Sequence, residues 1–119
     1  MRAKILIAED SAHTRMILKD LLLRSGYDVV GEAENGQEAV EMYDKLKPDI
    51  VTLDLAMPLM NGIEALKAIK GKHPKAKVVM AGALGQEMQV IEAMRAGADD
   101  FFIKPMQAQR VVEVLEDVL

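Results

Sequence analysis

Short apolar runs alternate with helical patterns along the whole chain. The first run, 3–8, is continuous rather than alternating, as expected of a strand buried on both faces. A helical stripe of apolar positions follows from Met16 to Leu22; Ser11 is placed to cap this helix and Gly26 to end it. The pattern recurs, and the predicted strands are 3–8, 29–33, 49–53, 77–81 and 101–103.

Each of the five predicted strands is followed by a predicted helix. Parallel strands need crossover connections of this kind, so the order of elements favours an α/β fold with a parallel sheet between helices. A closed barrel would need eight such units, and we therefore predict an open, doubly wound five-stranded sheet with five helices in one domain, 1–119. Ligands of such sheets bind at the carboxyl ends of the strands.

Composition narrows the class of function. The 119 residues include no Cys, which excludes disulfides and thiolate metal sites and suits a reducing compartment. The apolar run at the start is too short for a signal peptide or a membrane span, so we expect a cytoplasmic protein. The net charge is -4 and the basic residues are scattered, which argues against binding to nucleic acid or to a membrane.

Charged residues stand at the ends of several predicted strands. Glu9 and Asp10 follow the first, Asp54 follows the third and Lys104 follows the fifth. Clustered carboxylates are costly unless a cation compensates them, and Mg²⁺ prefers oxygen sites completed by a phosphate. Asp54 is then the natural nucleophile for an aspartyl phosphate, with Lys104 neutralising charge. Each acid taken alone also fits a solvated loop residue or a helix cap.

The chain resembles a response-regulator receiver domain over essentially its full length. The resemblance rests on Glu9-Asp10-Ser11, on Lys47-Pro48-Asp49 leading to Asp54, and on Met57-Pro58, Asn61-Gly62, Ala96-Gly97-Ala98 and Lys104-Pro105. It implies a strand order of 2-1-3-4-5 and a Mg²⁺ site formed by Glu9, Asp10, Asp54 and the backbone carbonyl of Ala56. It further implies phosphorylation of Asp54, contact of Lys104 with the phosphate, and a cis Lys104-Pro105 bond, whereas a simple helix breaker would have a trans bond.

The sequence departs from the family pattern at its switch residues. Gly82 stands where the family has a Ser or Thr whose hydroxyl meets the phosphoryl group, and Phe101 matches the aromatic switch residue. We expect Gly82 to leave room that lets Phe101 sit inward without phosphate, and to weaken switching. Ala56 and Leu84 occupy the positions that control water access in the family; neither orients a water, which predicts slow loss of the phosphoryl group.

Other residues have simpler interpretations. Met16, Met42, Met80 and Met94 lie on apolar stripes and are predicted core residues, while His13 and His73 are predicted to be solvated. Asn61-Gly62 is interpreted as a turn, because both residues tolerate positive φ. The resemblance makes the face around the fourth helix, fifth strand and last helix a docking surface, and we expect Met88, Phe101 and Met106 to be exposed there as candidate contacts.

Three functions compete. The leading one is a monomeric two-component signalling module that a sensor histidine kinase phosphorylates, and that then changes affinity for a target such as a flagellar motor switch component in chemotaxis. A phosphatase is a further possible partner, and the only catalysis expected is the module's own phosphorylation and dephosphorylation. The second function is a pseudo-receiver that binds partners without phosphate-dependent switching, which Gly82 keeps open. The third, a small phosphatase, would need a second general acid and a cap that the sequence does not supply.

Overall fold

The computed structural model describes residues 2–119. Five strands and five helices alternate along this part of the chain. The strands are β1 (Lys4–Ala8), β2 (Asp28–Ala33), β3 (Ile50–Asp54), β4 (Val78–Gly82) and β5 (Asp100–Ile103). The helices are α1 (Ala12–Arg24), α2 (Gly36–Leu46), α3 (Gly62–Lys72), α4 (Glu87–Arg95) and α5 (Ala108–Val118).

The strands form one parallel sheet in the order β2-β1-β3-β4-β5, which confirms the predicted fold class and strand order. Strand bounds differ from the predicted ones by about one residue, and this matters at two positions. Asp54 and Gly82 are the last residues of β3 and β4 rather than the first residues beyond them. Their backbones are therefore held by the sheet itself.

Helices cover both faces of the sheet. One core lies under α2, α3 and α4 and is centred on Leu6, Leu53 and Met80. The other lies under α1 and α5 and is centred on Ile7, Val79 and Phe102. Because β1, β3 and β4 are buried on both faces, they carry the continuous apolar runs seen in the sequence.

Capping residues fix the ends of several helices at both edges of the sheet. Ser11 accepts a hydrogen bond from the Thr14 amide, as predicted, and Gly26 has a φ of +90° just after α1. Asn61-Gly62 was interpreted as a turn because both residues tolerate positive φ, and this reason was wrong, since neither residue has a positive φ. Asn61 instead caps α3 in a reciprocal capping box with Glu64.

Several side chains lie elsewhere than predicted. Met80 is fully buried, but Met16 is 65% exposed and Met94 also faces solvent, so the prediction that both are core residues was wrong. On α1 the buried positions are Leu18 and Leu22, and the remaining apolar residues of that helix exceed what one buried face can hold. His13 is exposed as predicted.

His73 is not simply solvated. Its Nε2 lies 2.7 Å from Asp44 Oδ1, and its ring lies 5.0 Å from that of Tyr43. The residue therefore ties the end of α3 to α2, at the amino edge of the sheet. None of the helices described is long and apolar enough to cross a membrane.

Candidate functional site

Three carboxylates meet at the carboxyl edge of the sheet. Glu9 and Asp10 follow β1, Asp54 ends β3, and each offers an oxygen within 4.8 Å of the others. Since β1 and β3 are neighbours, their ends deliver these acids to one place. Glu9 and Asp54 are only 3% and 6% exposed, whereas Asp10 faces solvent.

Lys104, which follows the edge strand β5, contacts two of the acids with its side chain. Its Nζ lies 2.5 Å from Glu9 Oε1 and 3.0 Å from Asp54 Oδ1. The backbone N–H of Lys104 donates to the carbonyl of Gly82, so β4 places the start of this side chain. The peptide bond to Pro105 is cis, as the resemblance implies.

Glu9 is held through both its backbone and its side chain. Its N–H donates to the carbonyl of Ala33 on β2, and its own carbonyl accepts a 2.7 Å hydrogen bond from Arg15. Its Oε2 accepts from the backbone N–H of Ser11 at 3.1 Å. Arg15 was missed in the sequence, where it reads as one more charged residue of a helix. The acidic turn is thus fixed before any ligand binds.

Burial raises the pKa of Asp54 to about 7 from its ordinary 3.8, the nearby Glu9 carboxyl adds to the rise, and Lys104 opposes it. Burial also acts to lower the pKa of Lys104, but hydrogen bonds and charge from Glu9 and Asp54 outweigh it and leave that pKa above its usual value. The cluster therefore contains more negative charge than one lysine compensates, and a further cation would lower its energy.

The donor set fits a hard divalent cation such as Mg²⁺. All three side chains offer oxygen, and the cluster lies at an open edge where water and a phosphate can complete the coordination. Ala56, whose carbonyl is the fourth predicted ligand, is exposed in the loop two residues beyond Asp54. Its role in binding a metal stays a prediction.

Gly82 has no empty space beside it. A Cβ on Gly82 would lie 3.0 Å from Val90 Cγ2 and 3.4 Å from both Ile103 Cδ1 and Leu55 Cδ1. The expectation of free space beside Gly82 was therefore wrong, because Val90 of α4 lies close to it, while Phe101 is partly buried and packs on the core under α2, α3 and α4. α4 is consequently packed close against the end of β4.

The candidate partner residues do not share one environment. Met88 is 75% exposed on α4. Phe101 is half-buried and lines an apolar groove of about 500 Å³ together with Ile91 and Met94. Met106 is also half-buried, but it packs on the core beneath α1 and α5, so the expectation that all three are exposed was wrong for Phe101 and Met106.

Comparison with known proteins agrees with this architecture. The family model "Response regulator receiver domain" matches residues 5–116. The chain is 54% identical over 118 residues to the chemotaxis protein CheY of Thermotoga maritima, covering 99% of this chain and 98% of the relative. It is 50% identical over 119 residues to CheY of Bacillus subtilis, covering 100% of this chain and 99% of the relative.

A solved complex of CheX, CheY, BeF₃ and Mg²⁺ from Borrelia burgdorferi contains a chain that superposes with a TM-score of 0.92 at 35% identity. The match covers 98% of this chain and 88% of that one. The receiver domain of NtrX from Brucella abortus has the same TM-score at 30% identity, with 97% of each chain covered. The match to the family model over nearly the whole chain, together with relatives of equal length, shows that this protein belongs to the response regulator receiver domain family of two-component systems.

Proposed function

We propose that the protein is a phosphoacceptor whose Asp54 is phosphorylated by a sensor histidine kinase. One observation carries this proposal: a buried aspartate lies within 4.8 Å of two further acids and accepts a hydrogen bond from a single lysine. Buried acids gathered round one cation are expensive for stability alone, and such groups concentrate at functional sites.

In the proposed reaction a carboxylate oxygen of Asp54 attacks the phosphorus of a phosphohistidine. The phosphorus–nitrogen bond breaks, its electron pair returns to the imidazole nitrogen, and the new oxygen–phosphorus bond makes an aspartyl phosphate. Lys104, already hydrogen-bonded to Asp54, would offset the negative charge of the transferred phosphoryl group. No further catalytic activity is proposed beyond phosphorylation and dephosphorylation of the protein itself.

Glu9, Asp10, Asp54 and the carbonyl of Ala56 would hold the Mg²⁺. A bound Mg²⁺ supplies positive charge to the phosphoryl oxygens during transfer. Glu9 would contribute mainly its negative charge rather than a direct bond to the ion. Both of its carboxylate oxygens already accept hydrogen bonds, from Lys104 and from the amide of Ser11. Asp10, which is exposed beside them, is the side chain best placed for direct coordination.

The proposed output is a change of affinity for a protein target in chemotaxis. Relatives named CheY cover the full length of the chain, and one solved CheY is in complex with CheX, BeF₃ and Mg²⁺. We propose as partners a histidine kinase, a target such as a flagellar motor switch component, and a phosphatase. Ala56 and the exposed Leu84 offer no side-chain group that orients water, so slow spontaneous loss of the phosphoryl group is also proposed.

The test is titration with beryllofluoride in the presence of Mg²⁺, followed by amide NMR spectra. We expect saturable shifts around Asp54 in the wild-type protein and none in Asp54→Asn, which keeps the shape of the side chain but cannot form the adduct. Lys67→Gln, an exposed change on α3, is the control and should behave as wild type. Absence of any Mg²⁺-dependent shift in the wild-type protein would refute the phosphoacceptor proposal.

A pseudo-receiver remains the second candidate, and Gly82 is the observation that favours it. The residue provides no hydroxyl, and a Cβ added there would lie 3.0 Å from Val90 Cγ2. The pseudo-receiver predicts that beryllofluoride, even if it binds, leaves the affinity for the partner unchanged. A ratio of partner affinities different from one, with and without beryllofluoride, excludes it.

A further inference from the structure

The loop between β4 and α4 is closed by one side chain. The backbone N–H of Ala83 donates a 2.7 Å hydrogen bond to Oε1 of Gln86, and the N–H of Gln86 donates to the carbonyl of Ala83 at 3.1 Å. Gly85, with a φ of +92°, forms the bend between them. Gln86 therefore forms hydrogen bonds with both backbone polar groups of Ala83, one through its side chain and one through its own N–H.

The N–H of Ala83 points to the side of β4 on which β3 and Asp54 lie. The carbonyl of Ala81 accepts from Leu55, just beyond Asp54, and the carbonyl of Gly82 accepts from Lys104 on the opposite side. Peptide groups alternate in direction along a strand, so the N–H of Ala83 returns to the side of β3. Its acceptor agrees with this, since Gln86 lines the same cleft as Leu55 and Ala56.

Gln86 is also the N-cap residue of α4, yet its side chain caps no helical N–H in the part of the chain described. Its amide oxygen is used by Ala83 instead. The side chain thus connects a backbone donor just beyond the end of β4 to the N-cap of α4, the helix that carries the exposed Met88 and lines the apolar groove beside Phe101.

We infer that Gln86 is a positioning residue that occupies the Ala83 N–H at rest and is displaced from it by an oxyanion on Asp54. A charged oxygen is a better acceptor for an N–H group than a neutral amide oxygen, so a phosphoryl group would win this competition. Loss of the bond would open the loop and free the start of α4. The inference rests on the proposed phosphorylation of Asp54 and names the connection by which its signal reaches α4.

This route explains how a receiver with Gly82 can still respond. A hydroxyl at this position is missing, and a side chain there would place its Cβ 3.0 Å from Val90 Cγ2, so that Val90 would have to shift by a few tenths of an ångström. The Ala83 N–H is a donor that Gly82 does not affect, and the bond to Gln86 is the contact that must break for it to be used.

The competition gives opposite results for two substitutions of the same residue. Gln86→Ala removes the competing acceptor and is expected to strengthen binding of Mg²⁺-beryllofluoride by about 3- to 10-fold, the value of one ordinary hydrogen bond. Gln86→Glu keeps an acceptor for Ala83 but adds a negative charge, and it should weaken binding by at least about 3-fold. Gln89→Ala is the matched control, because Gln89 is an exposed glutamine on α4 lining the same cleft.

A second readout is the amide resonance of Ala83. Without ligand it should differ between wild type and Gln86→Ala, since only the wild type has the hydrogen bond. With Mg²⁺-beryllofluoride the two proteins should converge on one position, because both then donate to the ligand. A difference that persists unchanged would show that Gln86 stays in place and would overturn the inference.

Failure of the inference can be told apart from failure of the proposed function. If no variant binds beryllofluoride, the phosphoacceptor proposal fails and the inference fails with it. If wild type, Gln86→Ala and Gln86→Glu all bind with equal affinity, Asp54 accepts the ligand and only the role of Gln86 is refuted. A loss of affinity in Gln86→Ala also refutes that role, since removal of a competitor cannot weaken binding.

Discussion

The two edges of the sheet treat their charges in opposite ways. At the amino edge, Asp44 is partly exposed, and hydrogen bonds from His73 and then Lys72 lower its pKa. At the carboxyl edge, burial raises the pKa of Asp54, and one lysine serves two buried acids. The first arrangement fastens α2 to α3 and satisfies its charges. The second leaves negative charge uncompensated, which is the condition for binding a cation and an oxyanion.

The largest difference in the free energy of unfolding is expected between alanine substitutions of two glycines in α3. Gly62 lies near the carboxyl edge of the sheet and Gly71 near the amino edge. A Cβ on Gly62 would lie 2.2 Å from the carbonyl oxygen of Asp54, whereas a Cβ on Gly71 would meet no atom of residues 2–119 within 4 Å. Gly62→Ala should lower the free energy of unfolding by about 3 kcal/mol through overpacking against backbone. Gly71→Ala should raise it by up to about 1 kcal/mol through helix propensity.

Urea denaturation of the two variants checks this. Equal effects would show that the backbone of Asp54 is not tightly enclosed, and the contrast between the edges would lose its structural basis.

The second prediction removes one lysine from each edge. Lys104→Met leaves Glu9 and Asp54 without their positively charged partner and should lower the free energy of unfolding by about 2 kcal/mol at neutral pH. This loss is smaller than the loss expected from breaking a fully buried ion pair, because the Lys104 side chain is partly exposed to water. Lys72→Met should cost less, since Asp44 keeps His73 and is partly exposed to water. Denaturation at matched pH and low salt measures both, and a greater loss in Lys72→Met would contradict the contrast.

The third prediction concerns pH in the absence of divalent ions. The folded protein holds a proton on Asp54 up to about pH 7, and the unfolded chain releases it near its ordinary pKa of 3.8, so the free energy of unfolding falls as pH rises between these values. Asp54→Asn lacks this proton and should be more stable than wild type above pH 7 by about 1–2 kcal/mol, after allowance for screening and for Lys104.

Asp44→Asn should have the opposite effect on the free energy of unfolding, which should be lower than that of the wild type at neutral pH. The lowered pKa of Asp44 gives stability that is present above its unfolded pKa and is lost as pH falls, so this variant is weakened at neutral pH and approaches wild type in acid. Denaturation curves from about pH 3 to pH 8 in chelator test both variants. Parallel curves for all three proteins would remove the electrostatic difference between the edges.

The smallest effect is expected in the middle of β3, between the edges. The Thr52 hydroxyl is buried and has no hydrogen-bond partner among the described residues. Thr52→Val keeps the shape and removes the unsatisfied group, so the free energy of unfolding should rise by about 1 kcal/mol. Thermal unfolding checks the sign, and a loss of stability would mean that the hydroxyl is satisfied in solution.

Much of the fold could be predicted from the sequence because its signals are local. Continuous apolar runs mark the strands, Ser11 marks the start of α1, and the rule for strand ends brings Glu9, Asp54 and Lys104 together without any knowledge of side-chain contacts. Each of these signals depends on the backbone direction of one element and on the parallel arrangement of the sheet.

What could not be predicted depends on contacts between elements distant in sequence. His73 meets Asp44 across 29 positions, and Val90 fills the space beside Gly82. The close approach of Gly62 to the Asp54 backbone is likewise invisible until β3 and α3 are packed. Gln86 carries no motif at all, and only its contact with Ala83 shows its place in the loop.

Lys104, the positively charged side chain of the site, follows an edge strand, whereas Glu9 follows a central strand and Asp54 ends one. The backbone segments that carry the lysine and the acids therefore differ in local stability. β1 and β3 each have two neighbours, whereas the four-residue β5 pairs with β4 alone. Edge strands open more readily than central ones, so the amides of Ile103 and Lys104 should exchange with solvent before those of Ile7 and Leu53. Such an opening would withdraw Lys104 from Glu9 and Asp54, and we expect the charge balance of the site to change with backbone motion at that one edge.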